Sequence, residues 1–133
     1  MITVLYMEIS GILNSVYFMD WLGGLGMIQW TSRIYVSEKL TRKKNKVIAS
    51  INNRRITSNI YCIAFASSRD NLFDIMNANE LLFPHYQKTD IKIVGLAKGK
   101  EEATNLAQDM LMEVYDKTGA FDVRGYFSSH LSS

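Results

Sequence analysis

The chain has 133 residues, one cysteine, two histidines and a formal net charge of +2. A single cysteine excludes an intramolecular disulfide and any metal site built from several cysteines, and it favours a reducing, cytoplasmic setting. The length suits one domain that buries about two-thirds of its unfolded surface without covalent cross-links.

The charge is distributed unevenly along the chain. Residues 31 to 69 contain nine basic side chains against Glu38 alone, so this part carries +8 and the remainder carries −6. Such polarity can steer an acidic protein partner or a nucleic acid toward the basic part. A charged run on a helix is more often simply its solvated face.

Residues 1 to 30 are apolar, with Glu8 and Asp20 as their only charges. Eleven uncharged residues separate these two acids, whereas a bilayer-spanning helix needs about 20 apolar residues. The segment also lacks the basic start and small-residue cleavage site of a secretory signal. Two interpretations have equal weight, a segment docked on the domain and a translated upstream piece with the true start near Met19 or Met27. Membrane contact ranks last, and we predict that the segment is dispensable for folding.

Residues 33–37 are a predicted strand, and residues 38–53 are a predicted helix with a narrow apolar stripe and many cations. No recognition motif accompanies these cations, so they predict only nonspecific, salt-sensitive binding of nucleic acid. The candidate phosphate contacts of this basic segment are Lys43, Lys44, Lys46, Arg54 and Arg55.

Residues 60–66 form a predicted strand that is apolar on both faces, which is typical of a central strand. Hydroxyl and carboxylate side chains at 67–71 suit the start of a helix, because they accept from its unpaired backbone N–H groups. The apolar face of that predicted helix comprises Leu72, Ile75 and Met76.

Residues 91–97 are a predicted buried strand, and a glycine-bearing turn leads from it into a helix over 101–117. Apolar residues in this helix recur at i, i+3, i+4 and i+7, and Gly119 can end it in the left-handed conformation. Residues 121–127 are expected to pack back on the domain, and residues 128–133 are predicted to be disordered.

This alternation predicts an α/β domain over residues 31–127. Its order β-α-β-α-β-α indicates a small parallel sheet of three or four strands with right-handed crossovers. The predicted core comprises Ile63, Phe65, Leu72, Ile75, Ile93, Val94, Leu106, Met110, Leu111 and Val114.

No catalytic constellation is complete in the sequence. Cys62 lies among apolar neighbours, as a buried inert thiol does. His85 lies in a loop without an acid at a suitable spacing, and Asp70 suits helix capping better than proton transfer. We therefore assign no catalytic residue, no metal site and no cofactor.

An anion site is the sharpest chemical hypothesis. The turn from Gly95 to Glu101 falls short of a phosphate loop, because three residues separate its glycines and Glu101 occupies the magnesium-ligand position. Parallel strands nevertheless bring their carboxyl ends to one edge, where ligands bind. The predicted site for a phosphate or carboxylate there comprises Ser67, Ser68, Arg69, Lys98, Gly99 and Lys100.

Three stretches within residues 33–127 carry a resemblance: IYCIAFASSRDNLFDIM, ELLFPHY and IVGLAKGKEEATNLAQDMLMEVYDKTGAFDVRGYF. Through them the chain resembles a group of small bacterial α/β proteins of clostridial type and unknown function. The resemblance implies a bacterial, cytoplasmic protein but no reaction. Members of the group begin close to Arg33, which favours the interpretation of residues 1 to 30 as a translated upstream piece.

The sequence favours a noncatalytic binding or interaction module, because no nucleophile with a matched base, metal cluster or complete phosphate loop is present. The first alternative is an enzyme that acts on a small anionic ligand at the strand carboxyl ends. The second is nonspecific nucleic-acid binding through the basic segment.

Overall fold

The computed structural model describes residues 27–66, 71–87 and 90–131 of the chain. Residues 1–26, which make up most of the predicted leader, therefore lie outside the described residues.

The fold is built on one mixed four-stranded sheet with the spatial order β1-β4-β2-β3. Strand β1 (Ile28–Val36) pairs parallel to β4 (Ile91–Lys98). Strand β2 (Ile60–Phe65) lies between β4 and β3 (Phe73–Asn77) and is antiparallel to both. The α/β class is confirmed, but the predicted all-parallel sheet with β-α-β-α-β-α order is wrong.

The error begins at the helix predicted after residue 71. That segment is β3, in which Ile75 pairs with Ile63 of β2 in a hairpin. A hairpin reverses the chain where a crossover helix would have kept its direction. Short helical segments at Ala78–Leu82 (a 3-10 helix) and Pro84–Gln87 (α2) then precede β4, which runs antiparallel to β2.

Helices cover both faces of the sheet. A 3-10 helix (Glu38–Lys43) and α1 (Lys44–Asn52) pack on one face, and α3 (Lys100–Thr118) and α4 (Val123–Leu131) pack on the other. This arrangement explains why β2 and β4 are apolar on both faces although the sheet is not parallel.

The core forms two clusters, one on each face of the sheet. Half of the predicted core residues are buried, namely Ile63, Ile93, Val94, Met110 and Val114. The next group is partly buried beside them and comprises Phe65, Ile75, Leu106 and Leu111. Leu72 is 38% exposed, so its placement in the core was wrong, because it precedes β3 instead of lying on a helix.

Helix α3 agrees with its prediction to within one residue at each end. It ends at Gly119, which has the left-handed φ of 75° and donates its N–H to the carbonyl of Tyr115 at 2.7 Å. Space surrounds this glycine, since a Cβ built there meets nothing within 4 Å. The glycine is therefore required for its backbone conformation alone.

Strand β1 begins five residues before the predicted strand at 33–37. Its first residues, Ile28 to Trp30, pair with Ile91 to Ile93 of β4, and the Trp30 indole donates to Asn52 Oδ1 at 2.8 Å. A domain boundary at Thr31 would consequently cut through β1.

We expect a chain that begins at Met27 to unfold cooperatively, because it keeps every described strand. A chain that begins at Thr31 should lose about 2 kcal/mol or more of unfolding free energy, since each lost ladder hydrogen bond contributes about 0.5–1.5 kcal/mol. Urea denaturation of both chains measures the difference. Equal stabilities would show that the start of β1 contributes nothing.

Replacing Gly119 by alanine should lower the free energy of unfolding by about 1 kcal/mol, because an L-residue resists the left-handed conformation. Gly119→Asn is the matched control, since asparagine tolerates this region better. Chemical denaturation should rank the three chains Gly, Asn, Ala. An alanine variant as stable as the asparagine variant would contradict the backbone explanation.

Candidate functional site

The structure contradicts the strand arrangement on which the predicted anion site depends, although half of that site lies outside the described residues. The predicted site requires the carboxyl ends of β2 and β4 to lie side by side, but Ile60 at the start of β2 pairs with Lys98 at the end of β4. Ala66, which follows β2, therefore leaves the sheet at the opposite edge. Residues 67–70 lie outside the described residues. They include three residues of the predicted site, Ser67, Ser68 and Arg69, and also Asp70, which was considered for proton transfer.

The other half of that predicted site, at residues 98–100, is a tight connection into α3. Lys98 Nζ donates to the carbonyl of Ser58 at 2.8 Å, and Gly99 has a φ of 87° and donates its N–H to the carbonyl of Asn59. Lys100 begins α3 and is exposed.

The start of α3 also contains its own negative charge. Glu102 accepts from Lys39 Nζ at 3.1 Å, and this hydrogen bond, with a further one from Ser37, lowers the pKa of Glu102. A carboxylate in the first turn stabilises a helix in the way that a bound anion would. This corner therefore offers little attraction to an external anion.

A more open cationic region follows β1. We use the name basic surface for Arg42, Lys43, Lys44, Lys46 and Arg55 on and around α1. All are exposed except Lys44, which is half-buried. Among the described residues none of the five forms an ion pair, in contrast to Lys39.

Arg54 differs from the other predicted phosphate contacts. It is partly buried, its Nη1 donates to the carbonyl of Leu81 at 2.7 Å, and burial lowers the pKa of its guanidinium. Its φ of 55° marks the turn that ends α1. Arg54 therefore joins α1 to the 3-10 helix at Ala78–Leu82 and is less available to a ligand than Arg55.

A cleft opens at the edge of the sheet where β2 ends and β4 begins. The last cross-strand pair between these strands is Ala64 with Ile93. The pairing of β2 with β3 continues beyond this point to Phe65–Phe73, and the pairing of β4 with β1 continues to Ile28–Ile91. The sheet thus divides between β2 and β4, and a cavity of about 420 Å³ occupies the division.

Charged side chains of both signs line this cleft, which we call the split-sheet cleft. Asp74 and Asp90 are its acids, and Lys92 and Arg124 are its bases. Gln29 contributes an amide from β1 and is the cross-strand partner of Lys92. The sequence analysis did not identify these residues as a site. The only local signal for the cleft is that Asp90 and Lys92 flank the buried Ile91.

Helix α4 brings Arg124 to the cleft, and a carboxylate holds α4 in place. Glu113 Oε2 of α3 accepts from the Tyr35 hydroxyl at 2.6 Å and from the Tyr126 hydroxyl at 2.7 Å. Burial raises the pKa of Tyr35, and hydrogen bonding to Glu113 raises the pKa of Tyr126. Burial disfavours ionised Glu113, but the two hydroxyl donors outweigh it and lower the pKa of its carboxyl.

Cys62 lies in β2 and is fully buried, as predicted. Burial, aided by the charge of Glu80, raises the pKa of its thiol to about 12, so the nucleophilic thiolate is scarce at neutral pH. Within the ranges that the structure describes, no group of three or more His, Cys, Asp or Glu could hold a metal ion. The side chain of His85 is outside that description.

None of the described helices is long and apolar enough to cross a membrane.

Comparisons with protein-family models, curated proteins and solved structures find no significant match to this chain. The resemblance to small clostridial-type proteins stays a prediction.

Replacing Glu113 by glutamine should lower the free energy of unfolding by about 1–3 kcal/mol at neutral pH, because two hydrogen bonds to a charged acceptor are weakened. The folded-state pKa of Glu113 is depressed, so its contribution exists above the unfolded-state pKa and is lost as pH falls through the folded-state value. The variant should therefore lose less stability than the parent on acidification. Asp109→Asn, at an exposed position of α3, is the control. If the unfolding free energy of Glu113→Gln fell with decreasing pH as steeply as that of the parent, ionised Glu113 would not be the source of this stability.

Proposed function

We propose that the protein is a noncatalytic binding module that engages a polyanion, nucleic acid in particular, through the basic surface. The observation that carries the proposal is the exposure of Arg42, Lys43 and Lys46 without an ion pair among the described residues. The single buried cysteine and the resemblance stated above support a bacterial, cytoplasmic setting.

Charge geometry favours a polyanion over a small anion at this surface. The five cations are distributed over a 3-10 helix, a helix and the loop that follows, and none of them lines the cavities described among the residues of the structure. A row of cations can displace several counterions from one nucleic-acid backbone, and affinity then depends steeply on salt. A single small anion would gain little from cations spread in this way, because exposed pairs are worth about 0.2–1 kcal/mol each.

The surface supports affinity better than sequence specificity. Direct readout requires side chains that reach base edges in a groove, and single-strand recognition requires aromatic platforms. Trp30, which contacts α1, donates to Asn52 and packs against the core. We therefore expect binding that varies little with sequence.

The enzyme alternative at residues 67–69 and 98–100 has less support. Its parallel-strand premise is wrong, and Glu102 already supplies negative charge beside Lys98. The split-sheet cleft lies at the other end of the β2–β4 pair, where β2 ends and β4 begins.

Fluorescence anisotropy with labelled nucleic acid of mixed sequence tests the proposal. Lys43→Gln/Lys46→Gln should weaken binding by about tenfold and flatten the plot of log K against log salt by about 1.4–1.8, since each phosphate contact contributes about 0.7–0.9 to the slope. The matched control Lys100→Gln/Lys117→Gln removes the same net charge from exposed positions of α3 and should have a much smaller effect.

Two outcomes would contradict the proposal. If both double variants weakened binding equally, the attraction would come from net charge and not from the basic surface. If the parent bound no nucleic acid at low salt, the nucleic-acid assignment would be wrong. If polyglutamate bound as tightly as nucleic acid, the protein would be a polyanion binder that does not recognise phosphate in particular.

A further inference from the structure

The split-sheet cleft has one cationic side, which is separate from the basic surface. We propose that this side, formed by Gln29, Lys92 and Arg124, binds a small monocarboxylate with an apolar body.

Gln29 and Lys92 project from the same face of the sheet. Ile91 and Ile93 belong to the core cluster under α1, and side chains alternate along a strand. Lys92 therefore projects from the opposite face of β4, which α3 and α4 cover. Gln29 is the cross-strand partner of Lys92 on the parallel strand β1, so its side chain lies on that face too.

Arg124 of α4 reaches the same place from above the sheet. Phe65, which packs in the cluster under α3 and α4, comes opposite Lys92 one step beyond the last β2–β4 pair, where the strands separate. The Arg124 guanidinium lies 5.3 Å from the centre of the Phe65 ring, and its Nη2 donates to the carbonyl of Ala66. The two cations consequently line the division from one side of the sheet.

The acids of the cleft are placed differently. Asp74 pairs with Ala64, which belongs to the cluster under α1, so Asp74 projects to the other face and away from Lys92. Asp90 precedes β4, and its Oδ1 accepts the N–H of Met27 at 2.8 Å. Only Asp90 therefore reduces the positive charge around the proposed site.

The three side chains offer donors that a carboxylate can use. Lys92 is half-buried and forms no ion pair within the described residues. A guanidinium has five N–H donors, so Arg124 keeps several after its contact with Ala66. Its contacts with Phe65 and Ala66 hold the planar fork in place before a ligand arrives, and such a fork matches a carboxylate with two parallel hydrogen bonds. The Gln29 amide adds an uncharged donor.

The surroundings select the class of anion. Two cations beside one acid leave a single excess positive charge, which suits a monoanion better than a dianion, because Asp90 would disfavour the second negative charge. The Phe65 ring and the methylene stem of Lys92 place apolar surface beside the charges. The cleft has a volume of about 420 Å³, within the range of about 300–1,000 Å³ typical of small-molecule sites. An organic carboxylate fits this combination better than a hydrated inorganic anion.

Solution NMR on the nitrogen-15-labelled full chain tests the proposal with benzoate and butyrate. Either acid should shift the side-chain N–H signals of Gln29 and Arg124. Benzamide and butyramide keep the shapes of the acids without their charge, so they should bind about fivefold more weakly or worse, because charge-assisted hydrogen bonds are lost. Inorganic phosphate at the same ionic strength is the dianion probe, and it should bind more weakly than benzoate.

Variants locate the site. Lys92→Met keeps the apolar stem without the ammonium and should weaken benzoate binding about fivefold, as expected for one accessible charge pair. Arg124→Lys keeps the charge but removes the planar fork, and it should weaken binding by a similar factor. Lys117→Met, at an exposed position of α3, should leave binding unchanged. If the amide spectrum showed that Lys92→Met does not fold, Arg124→Lys would still decide the test.

Three results would overturn the proposal: no shift of the Gln29 and Arg124 signals with either acid, tighter binding of phosphate than of benzoate, or a benzoate affinity that neither variant lowers. The outcome is separable from the proposed function. Lys92→Met should leave nucleic-acid binding nearly unchanged, and Lys43→Gln/Lys46→Gln should leave benzoate binding unchanged.

Discussion

The burial of β4 between two helical layers is the constraint on which the rest of the structure depends. Ile93 and Leu96 are fully buried in the cluster under α1, and Val94 is fully buried in the cluster under α3. A strand that is apolar on both faces has to be covered on both faces, because each exposed large side chain would forfeit about 1.5–3 kcal/mol. The remaining strands and helices complete that cover.

The same burial explains where function can lie. Side chains in the middle of β4 are committed to packing, so polar chemistry is confined to the ends of the strand and to the outer surfaces of the helices. One end, at residues 98–100, is closed by contacts to the loop before β2 and by the carboxylate of Glu102. The other end, at Asp90 and Lys92, opens into the split-sheet cleft. The basic surface and the split-sheet cleft are consequently separate in the fold.

Sequence patterns predicted the elements whose signals are local and complete. Helix α3 has a full apolar repeat and a glycine stop, and β2 and β4 have unbroken apolar runs. Strand β3 was missed because Leu72, Ile75 and Met76 occur at spacings that a helix face and a short strand can share. Strand direction was wrong for a different reason: burial on both faces is typical of parallel sheets, but helices on both sides of a mixed sheet produce the same pattern.

The basic surface and the split-sheet cleft also differ in how far the sequence predicts them. The basic surface was visible in the sequence, because charges close together in one segment stay close in space, and only Arg54 was diverted into a structural contact. The split-sheet cleft has only a weak sequence signal, the charged pair at residues 90 and 92. It depends on where the register between β2 and β4 stops, and it gathers Gln29, Asp74, Lys92 and Arg124 from four separate elements.

The parallel pairing of β1 with β4 has a consequence for the time course of folding. Strands β2, β3 and β4 follow one another closely and can form an antiparallel unit from local contacts, whereas the hydrogen bond from Met27 to Asp90 joins residues 63 positions apart. Closing so long a loop costs more chain entropy than closing a hairpin, and contacts distant in sequence slow folding. During synthesis β1 emerges before the other described strands, yet its partner β4 is the last of these strands to be made. Until β4 is available, the backbone N–H and C=O groups of β1 have no native strand to pair with, and this interval is when the chain is most exposed to aggregation.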